Sequence, residues 1–372
     1  MAPRKKMIDA TYMVSYDSAN HCGVVFQMWG SVWPKVLPYC IFNVLVMMGL
    51  GYLKEVKASN LKMQTSAQGH GFITVVVAFL VVSRVNIALG RFTEARNNLG
   101  IMYRETRELI QNVCVLSNHA TTEEAQQWRH ELAYRTLLML RTTMVVIDYP
   151  TDFVAAWDIP ELQGEERSLV KNGLTGPLRS RWSHSRRGEW EETMRVPIRL
   201  AYLVRKALHS NTTRLRVPLA IPQELKLLGC VDTFMSGYYG VRKFLTTPVP
   251  FPLIQMARTF LFLYIFTVPM VLVTDETSSH VARCLIVFMI TFGFMGLELV
   301  AIEMDNPFGD DANDFNNAAM AMTAYEDSYL TIYDVDGEEW ADKLRRKMDD
   351  GKTKTNFFDD DESSWLLKPQ GV

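Results

Sequence analysis

The densest group of chemistry-bearing residues in this chain is Asn306-Pro307-Phe308-Gly309-Asp310-Asp311-Ala312-Asn313-Asp314-Phe315. Pro307 lacks a backbone donor and Gly309 loosens the backbone, so a helix arriving at Asn306 has to stop there. Asp310, Asp311 and Asp314 then put three carboxylates into five residues. Their mutual repulsion is costly unless water or a hard cation balances it, and clustered oxygen donors are what Ca²⁺ takes. A simpler reading is that Asp310 and Asp311 favour the positive end of the helix that follows. Elsewhere the chain is poor in reaction chemistry. Its seven histidines are scattered, and it has no Ser/His/Asp triplet, glycine-rich phosphate loop or H-E-x-x-H pattern, which argues against an enzyme. The five cysteines, Cys22, Cys40, Cys114, Cys230 and Cys284, form no C-x-x-C pair and read as reduced, structural thiols.

The acidic cluster follows the last of four apolar stretches. Val36 to Leu53 has no charge over 18 residues, Gly71 to Gly90 contains only Arg84, Thr259 to Thr274 has none, and Cys284 to Ile302 has only Glu298. Since crossing about 30 Å of hydrocarbon takes roughly 20 helical residues, two pairs of such stretches around a long polar middle predict a four-span membrane protein. The overall 48% hydrophobic and 22% charged content conceals this segregation; the net charge of −2 says nothing about partners, and no nucleic-acid partner is expected. Arg4, Lys5 and Lys6 precede the first span and favour an N-terminus on the cytosolic or stromal side, where four spans also return the C-terminus. No apolar run follows that basic start directly, so a cleaved signal peptide is not expected.

The polar middle reads as helices: Asn97 to Leu116, Thr122 to Ile147 ended by Pro150, Val196 to Leu208 and Gln223 to Val241. Asp158 to Trp190, rich in Gly, Arg and Ser, reads as a surface excursion, with basic residues gathered at Arg179 to Arg187. The polar tail from Asp342 onward is expected to be largely disordered, although Trp365-Leu366-Leu367 could dock on a partner. No strand alternation or repeat is visible.

On a 3.6-residue period, Val75, Phe79 and Ser83 stack along one face of the second span, and Asn86 and Gly90 continue it in a more polar vein. Such a face could line a narrow conduit, with Phe72 and Val76 as the alternative one turn away. Arg84 and Arg91 lie seven apart on a different face, with Glu94 three residues further. Charges at that depth face protein, water or an opposite charge, as interhelical struts or as contacts for a permeating anion.

The run Ser83-Arg84-Val85-Asn86-Ile87-Ala88-Leu89-Gly90-Arg91-Phe92-Thr93-Glu94-Ala95-Arg96 resembles the pattern at the end of the second helix in bacterial and photosynthetic bestrophins. Asn306 to Phe315 resembles the calcium element of animal members, and Trp29-Gly30-Ser31 and Val196-Pro197 are weaker marks. The resemblance implies an all-α homopentamer, four spans per subunit plus a cytosolic helical bundle, with one central pore for chloride and other small monovalent anions, bicarbonate included. It implies a pore neck at Val75, Phe79 and Ser83, where serine replaces the usual bulky residue, and a loosely matched cytosolic aperture at Leu215 and Val217 near Arg214 and Arg216. It implies Ca²⁺ bound by the side chains of Asp311 and Asp314 and the carbonyls of Glu303 and Asn306, with a further carbonyl between Ser15 and Asn20. Ala312 and Asn313 replace acidic residues of some relatives. The implied division is an N-terminal segment (1–30), a first hairpin with the neck (31–96), a cytosolic region (97–250), a second hairpin (251–304), the acidic element (305–335) and the tail (336–372). A bacterial-like second helix beside an animal-like loop suggests a photosynthetic eukaryote and a thylakoid or other organellar membrane. Competing expectations are a cation-selective channel, which Ser83 would favour, and a secondary transporter, against which stands the lack of internal repeats.

Overall fold

The computed structural model describes residue 14 and residues 16–56, 67–174, 186–274, 278–309 and 311–349. The basic start, Ser15, Asp310, residues 179–185 of the basic stretch and the Trp365-Leu366-Leu367 segment lie outside these residues. The described chain is helical and shows no strand. In order it forms α1 (His21–Phe26), α2 (Trp33–Val56), α3 (Ala67–Ser117), α4 (Glu123–Asp152), α5 (Gly164–Leu174), α6 (Arg186–Thr193) and α7 (Val196–His209). There follow α8 (Asn211–Arg214), α9 (Ile221–Thr246), α10 (Phe251–Leu272), α11 (His280–Asp305), α12 (Asn317–Asp336) and α13 (Glu338–Asp349). The chain divides into two compact units: Tyr12–Gly100 with Tyr239–Phe315, and Ile101–Tyr238 with the chain from Asn316. Helices α3 and α9 contribute a portion to each.

In the first unit, α2, α3, α10 and α11 are long and apolar enough to cross a membrane. All four expected spans are present as long helices that run past the expected stretch at one end or both. The helix of the third begins at Phe251 rather than Thr259, and so includes Arg258, whose Nε donates to Glu298 Oε1 at 2.8 Å. Inward faces pack Val36, Cys40, Met47, Val77, Val81, Leu261, Ile265 and Val287 into one core. Polar ties cross it: Asn43 Nδ2 donates to Thr291 Oγ1 at 2.9 Å and to the Ile265 carbonyl at 3.3 Å. Outward faces remain apolar, with Phe42, Leu45, Met48, Leu263 and Met289 exposed as lipid-facing residues should be.

The second unit is built around α4, which is buried on nearly all sides and packs against α7, α12 and α13. Trp128 Nε1 donates to the Ala207 carbonyl at 2.8 Å. The Arg129 guanidinium, buried like its partner Asp336, also donates to the carbonyls of Ser117 (2.9 Å) and Ala120 (3.1 Å) at the end of α3. It thereby satisfies acceptors that a helix terminus leaves open.

Four helical expectations need correction. Asn97 to Leu116 is not a separate helix, because no residue breaks the backbone between Arg96 and Asn97 and α3 runs on for 51 residues. Pro150 does not end α4: it removes one N–H from the helix ladder, yet the helix runs on to Asp152, and the chain leaves at Phe153, whose left-handed backbone (φ 53°) lets its N–H bond the Tyr149 carbonyl. The stretch from Asp158 is not simply a surface excursion. Ile159, Leu162 and Val170 are buried, Tyr134 Oη donates to the Glu161 carbonyl at 2.7 Å, and Arg141 Nε reaches Glu161 Oε1 at 2.8 Å. Order also continues past Asp342, because Ala341, Leu344 and Met348 give α13 an apolar stripe to bury.

Helix α13 covers His130 of α4, whose ring lies 5.6 Å from that of Trp340 and whose Nε2 is buried without a hydrogen-bond partner. Burial, aided by Lys347 and Lys343 and opposed by Asp336 and a bond to the Lys343 backbone, lowers its pKa from 6.5 to about 4. The unfolded chain therefore binds a proton that the folded one refuses between those two values, and stability falls as pH drops through that window. Thermal unfolding between pH 7 and pH 4.5 is expected to show this loss, and His130→Gln is expected to flatten it; an equal slope in the variant would remove His130 as its source.

Candidate functional site

The two faces of α3 within the first unit have opposite fates. Val77, Val81, Arg84 and Ala88 are at most 1% exposed, at the spacing that keeps one helical stripe against protein. On the other side, Phe72, Val75 and Phe79 are 76%, 68% and 71% exposed, Ser83 is half-buried, and Asn86 and Gly90 are exposed. Val75, Phe79 and Ser83 thus share an uncovered face, and Val76, at 47%, lies toward its edge.

All three charges expected in this stretch have partners. Arg84 forms a two-pronged pair with Asp305 at the end of α11, Nη1 to Oδ1 at 3.0 Å and Nη2 to Oδ2. Arg91 Nη2 donates to the Phe244 carbonyl at 3.3 Å and its guanidinium lies 4.6 Å above that ring, while Glu94 pairs with Lys243 at 3.3 Å. These are struts between helices. Sequence reading missed Asp305 and Phe244, because nothing local ties either to an arginine more than 150 positions away.

The acidic loop is closed by its own backbone, with Phe315 N–H bonding the Pro307 carbonyl at 3.0 Å and Asp314 N–H bonding that of Asp311 at 3.1 Å. Its two phenylalanines anchor it. Phe308 meets Phe244 edge-on at 5.3 Å, and Phe315 lies 4.6 Å from Phe92 of α3. The other side is tied to the N-terminal chain: Val14 N–H bonds the Ala312 carbonyl at 3.4 Å and Asn313 Nδ2 donates to the Gly30 carbonyl at 3.1 Å. Gly30 has φ +70° and its Cα faces Val14 so closely that no side chain would fit.

Of the expected calcium ligands, Asp314 is buried and its Oδ2 accepts the Asp311 N–H at 2.9 Å, whereas Asp311 and Asn306 are exposed. The carboxylate of Glu303 is held by Lys35, which sequence reading did not single out. Among the described residues no three His, Cys, Asp or Glu side chains gather where a metal ion could be held. Among the described residues the loop's donors are the two carboxylates of Asp311 and Asp314 and neighbouring carbonyls. A Cβ on Gly309 would lie 2.5 Å from Asp314 Oδ2, so the carboxylate packs where only glycine fits. Hard oxygen donors of this kind are what Ca²⁺ takes. In the second unit the aperture candidates part company: Leu215 is turned inward at 4% exposure, and Val217 is 63% exposed.

A family model described as bacterial/fungal bestrophin protein matches residues 13–328, which covers both helical hairpins and the acidic loop. The chain belongs to the bestrophin family. This bestrophin is 26% identical over 307 residues to a voltage-dependent anion channel-forming protein of Nostoc, covering 81% of this chain and 88% of the relative. It is 25% identical over 241 residues to a protein of the same description from Synechocystis, covering 65% and 69%. A crystal structure of a bacterial bestrophin homolog from Klebsiella pneumoniae superposes with a TM-score of 0.64 at 19% identity, covering 83% of this chain and 99% of that one, which shows the shared fold. With its four long apolar helices this bestrophin is an integral membrane protein.

Gly309→Ala is expected to push the Asp314 carboxylate off the Asp311 N–H and to destabilise the protein by about 1.5–3 kcal/mol, the range for a hydrogen bond to a charged group. Thermal unfolding of the detergent-solubilised protein measures this, and an unchanged transition would show that the loop has slack at Gly309.

Proposed function

We infer that this bestrophin is a passive anion channel, formed by five copies of the chain around an axis lined by the open face of α3. The reading rests on one observation above all: α3 buries one stripe within its own subunit while leaving Val75 and Phe79, both large and apolar, 68% and 71% exposed on the other. In a closed ring of subunits, such residues become rings of identical side chains. Apolar rings of that kind gate by dewetting, and the half-buried Ser83 wets one ring and leaves Phe79 as the chief constriction. The likeness to the Nostoc and Synechocystis voltage-dependent anion channel-forming proteins supports anion passage, with chloride as the reference ion and bicarbonate as a further candidate. Val217, rather than Leu215, is the residue with a face to offer at the aperture. The basic residues beside it would concentrate anions by focusing the field.

Ca²⁺ belongs to the same proposal. Asp311 and Asp314 would hold it with the carbonyls of Glu303 and Asn306, and its charge would offset the carboxylate repulsion of a loop anchored to α3 through Phe92 and Phe315. The N-terminal carbonyl expected between Ser15 and Asn20 falls in the segment joined to this loop through Val14 and Gly30. Both termini are assigned to the cytosolic or stromal side, with a thylakoid or other organellar membrane as the setting. The second reading, a cation-selective channel, draws on Ser83, since a polar ring removes part of the apolar barrier.

The test is current through purified channels in bilayers under a chloride gradient. A reversal potential near the chloride equilibrium value is expected, and one near the cation value would replace this reading by the second. Phe79→Ala is expected to raise open probability severalfold; unchanged or reduced current would take Phe79 out of the constriction.

A further inference from the structure

Lys35 stands in the first turn of α2, a position where a positive charge opposes the helix dipole and where no acidic residue of its own helix offsets it. Glu303 and Asp305 stand in the last turn of α11 with the opposite problem, since no basic residue accompanies them there. The fold joins the two ends. Lys35 Nζ pairs with the Glu303 carboxylate, and Arg84 takes Asp305. The Asp311 and Asp314 carboxylates are also within electrostatic reach of the Lys35 ammonium. Asn313 ties the loop to Gly30, five residues before Lys35, so ammonium and loop are held in one neighbourhood. The Lys35 side chain is 54% exposed and that of Glu303 15%, so the pair is open to solvent on the lysine side.

We propose that Lys35 is the resident counter-cation of the acidic loop, a tethered ammonium that lets the loop keep its fold when no divalent ion is bound. Where the calcium reading also holds, on which this corollary rests, Ca²⁺ and the ammonium repel each other across the same carboxylates, and Lys35 sets the concentration at which Ca²⁺ binds. Calcium then adds to an element already folded.

The test is thermal unfolding of the full-length protein in detergent, in EGTA and across a Ca²⁺ titration. It compares wild type, Lys35→Met, the charge-keeping Lys35→Arg, and Asp311→Ala with Asp314→Ala. In EGTA, Lys35→Met is expected to melt several degrees below wild type and Lys35→Arg close to it. In Lys35→Met the Ca²⁺ midpoint is expected to fall about three- to tenfold, the effect of removing one partly screened charge. A Lys35→Met protein with wild-type melting in EGTA overturns the proposal. If it melts low in EGTA but neither it nor wild type responds to Ca²⁺, Lys35 stands as the counter-cation and the calcium reading falls. If Ca²⁺ stabilises wild type but not the double aspartate variant, and Lys35→Met leaves melting and midpoint unchanged, calcium stands and Lys35 falls. Should Lys35→Met not fold in either condition, Lys35→Met with Glu303→Gln removes both charges; recovery of folding supports the pairing, and persistent failure overturns it.

Discussion

A guanidinium with 1% of its side chain exposed has to be met by a carboxylate, and Arg84 is met by Asp305 through both of its terminal nitrogens. In a membrane helix the alternative, an unpaired buried charge, costs several kcal/mol or more. The pair joins the middle of α3 to the last residue of α11, and so fixes where the chain leaves the membrane helix and where the acidic loop begins. Arg91 on Phe244 and Phe92 against Phe315 extend the same seam. The face of α3 that stays open is the face opposite this seam. Which side chains of α3 stay uncovered is thus decided by which charges are paired within the chain.

The acidic loop is a consequence of the same geometry. Helix α11 ends with Glu303 and Asp305 at its negative pole, an arrangement that is unfavourable for the isolated helix and becomes favourable only because Lys35 and Arg84 arrive from α2 and α3. With those two carboxylates committed, Asp311 and Asp314 are the carboxylates left in the loop among the described residues. Phe308 and Phe315 hold its backbone from below, and Val14 and Gly30 hold its flank, so the spacing of those oxygens is set by contacts far from them in sequence.

The second unit solves a different problem. Its central helix α4 is buried on almost every side, so the polar residues it carries must be satisfied in place. Arg129 does this with Asp336 and the carbonyls that close α3, and Tyr134 and Arg141 do it with Glu161. His130 is left neutral under α13, which makes the C-terminal helix the acid-sensitive part of this unit.

Residue order alone determined the four spans, the all-helical class, the stripe of Val75, Phe79 and Ser83, and the break at Asn306-Pro307. Each of these follows from local hydrophobic content, helical period or a missing backbone donor. It also carried the marks of the family, because motif spacing is a linear property. What only the tertiary structure decided was every partner: Asp305 for Arg84, Lys35 for Glu303, Phe244 for Arg91, and the burial of Leu215 that separates it from Val217. The unbroken α3, the inward packing of Ile159 and Leu162 and the ordering of α13 belong with these. A charge or an apolar stripe signals in sequence that it needs a partner, but the energy of meeting it depends on distance in space, and residues more than 100 positions apart are brought within 3 Å only by the packing of helices.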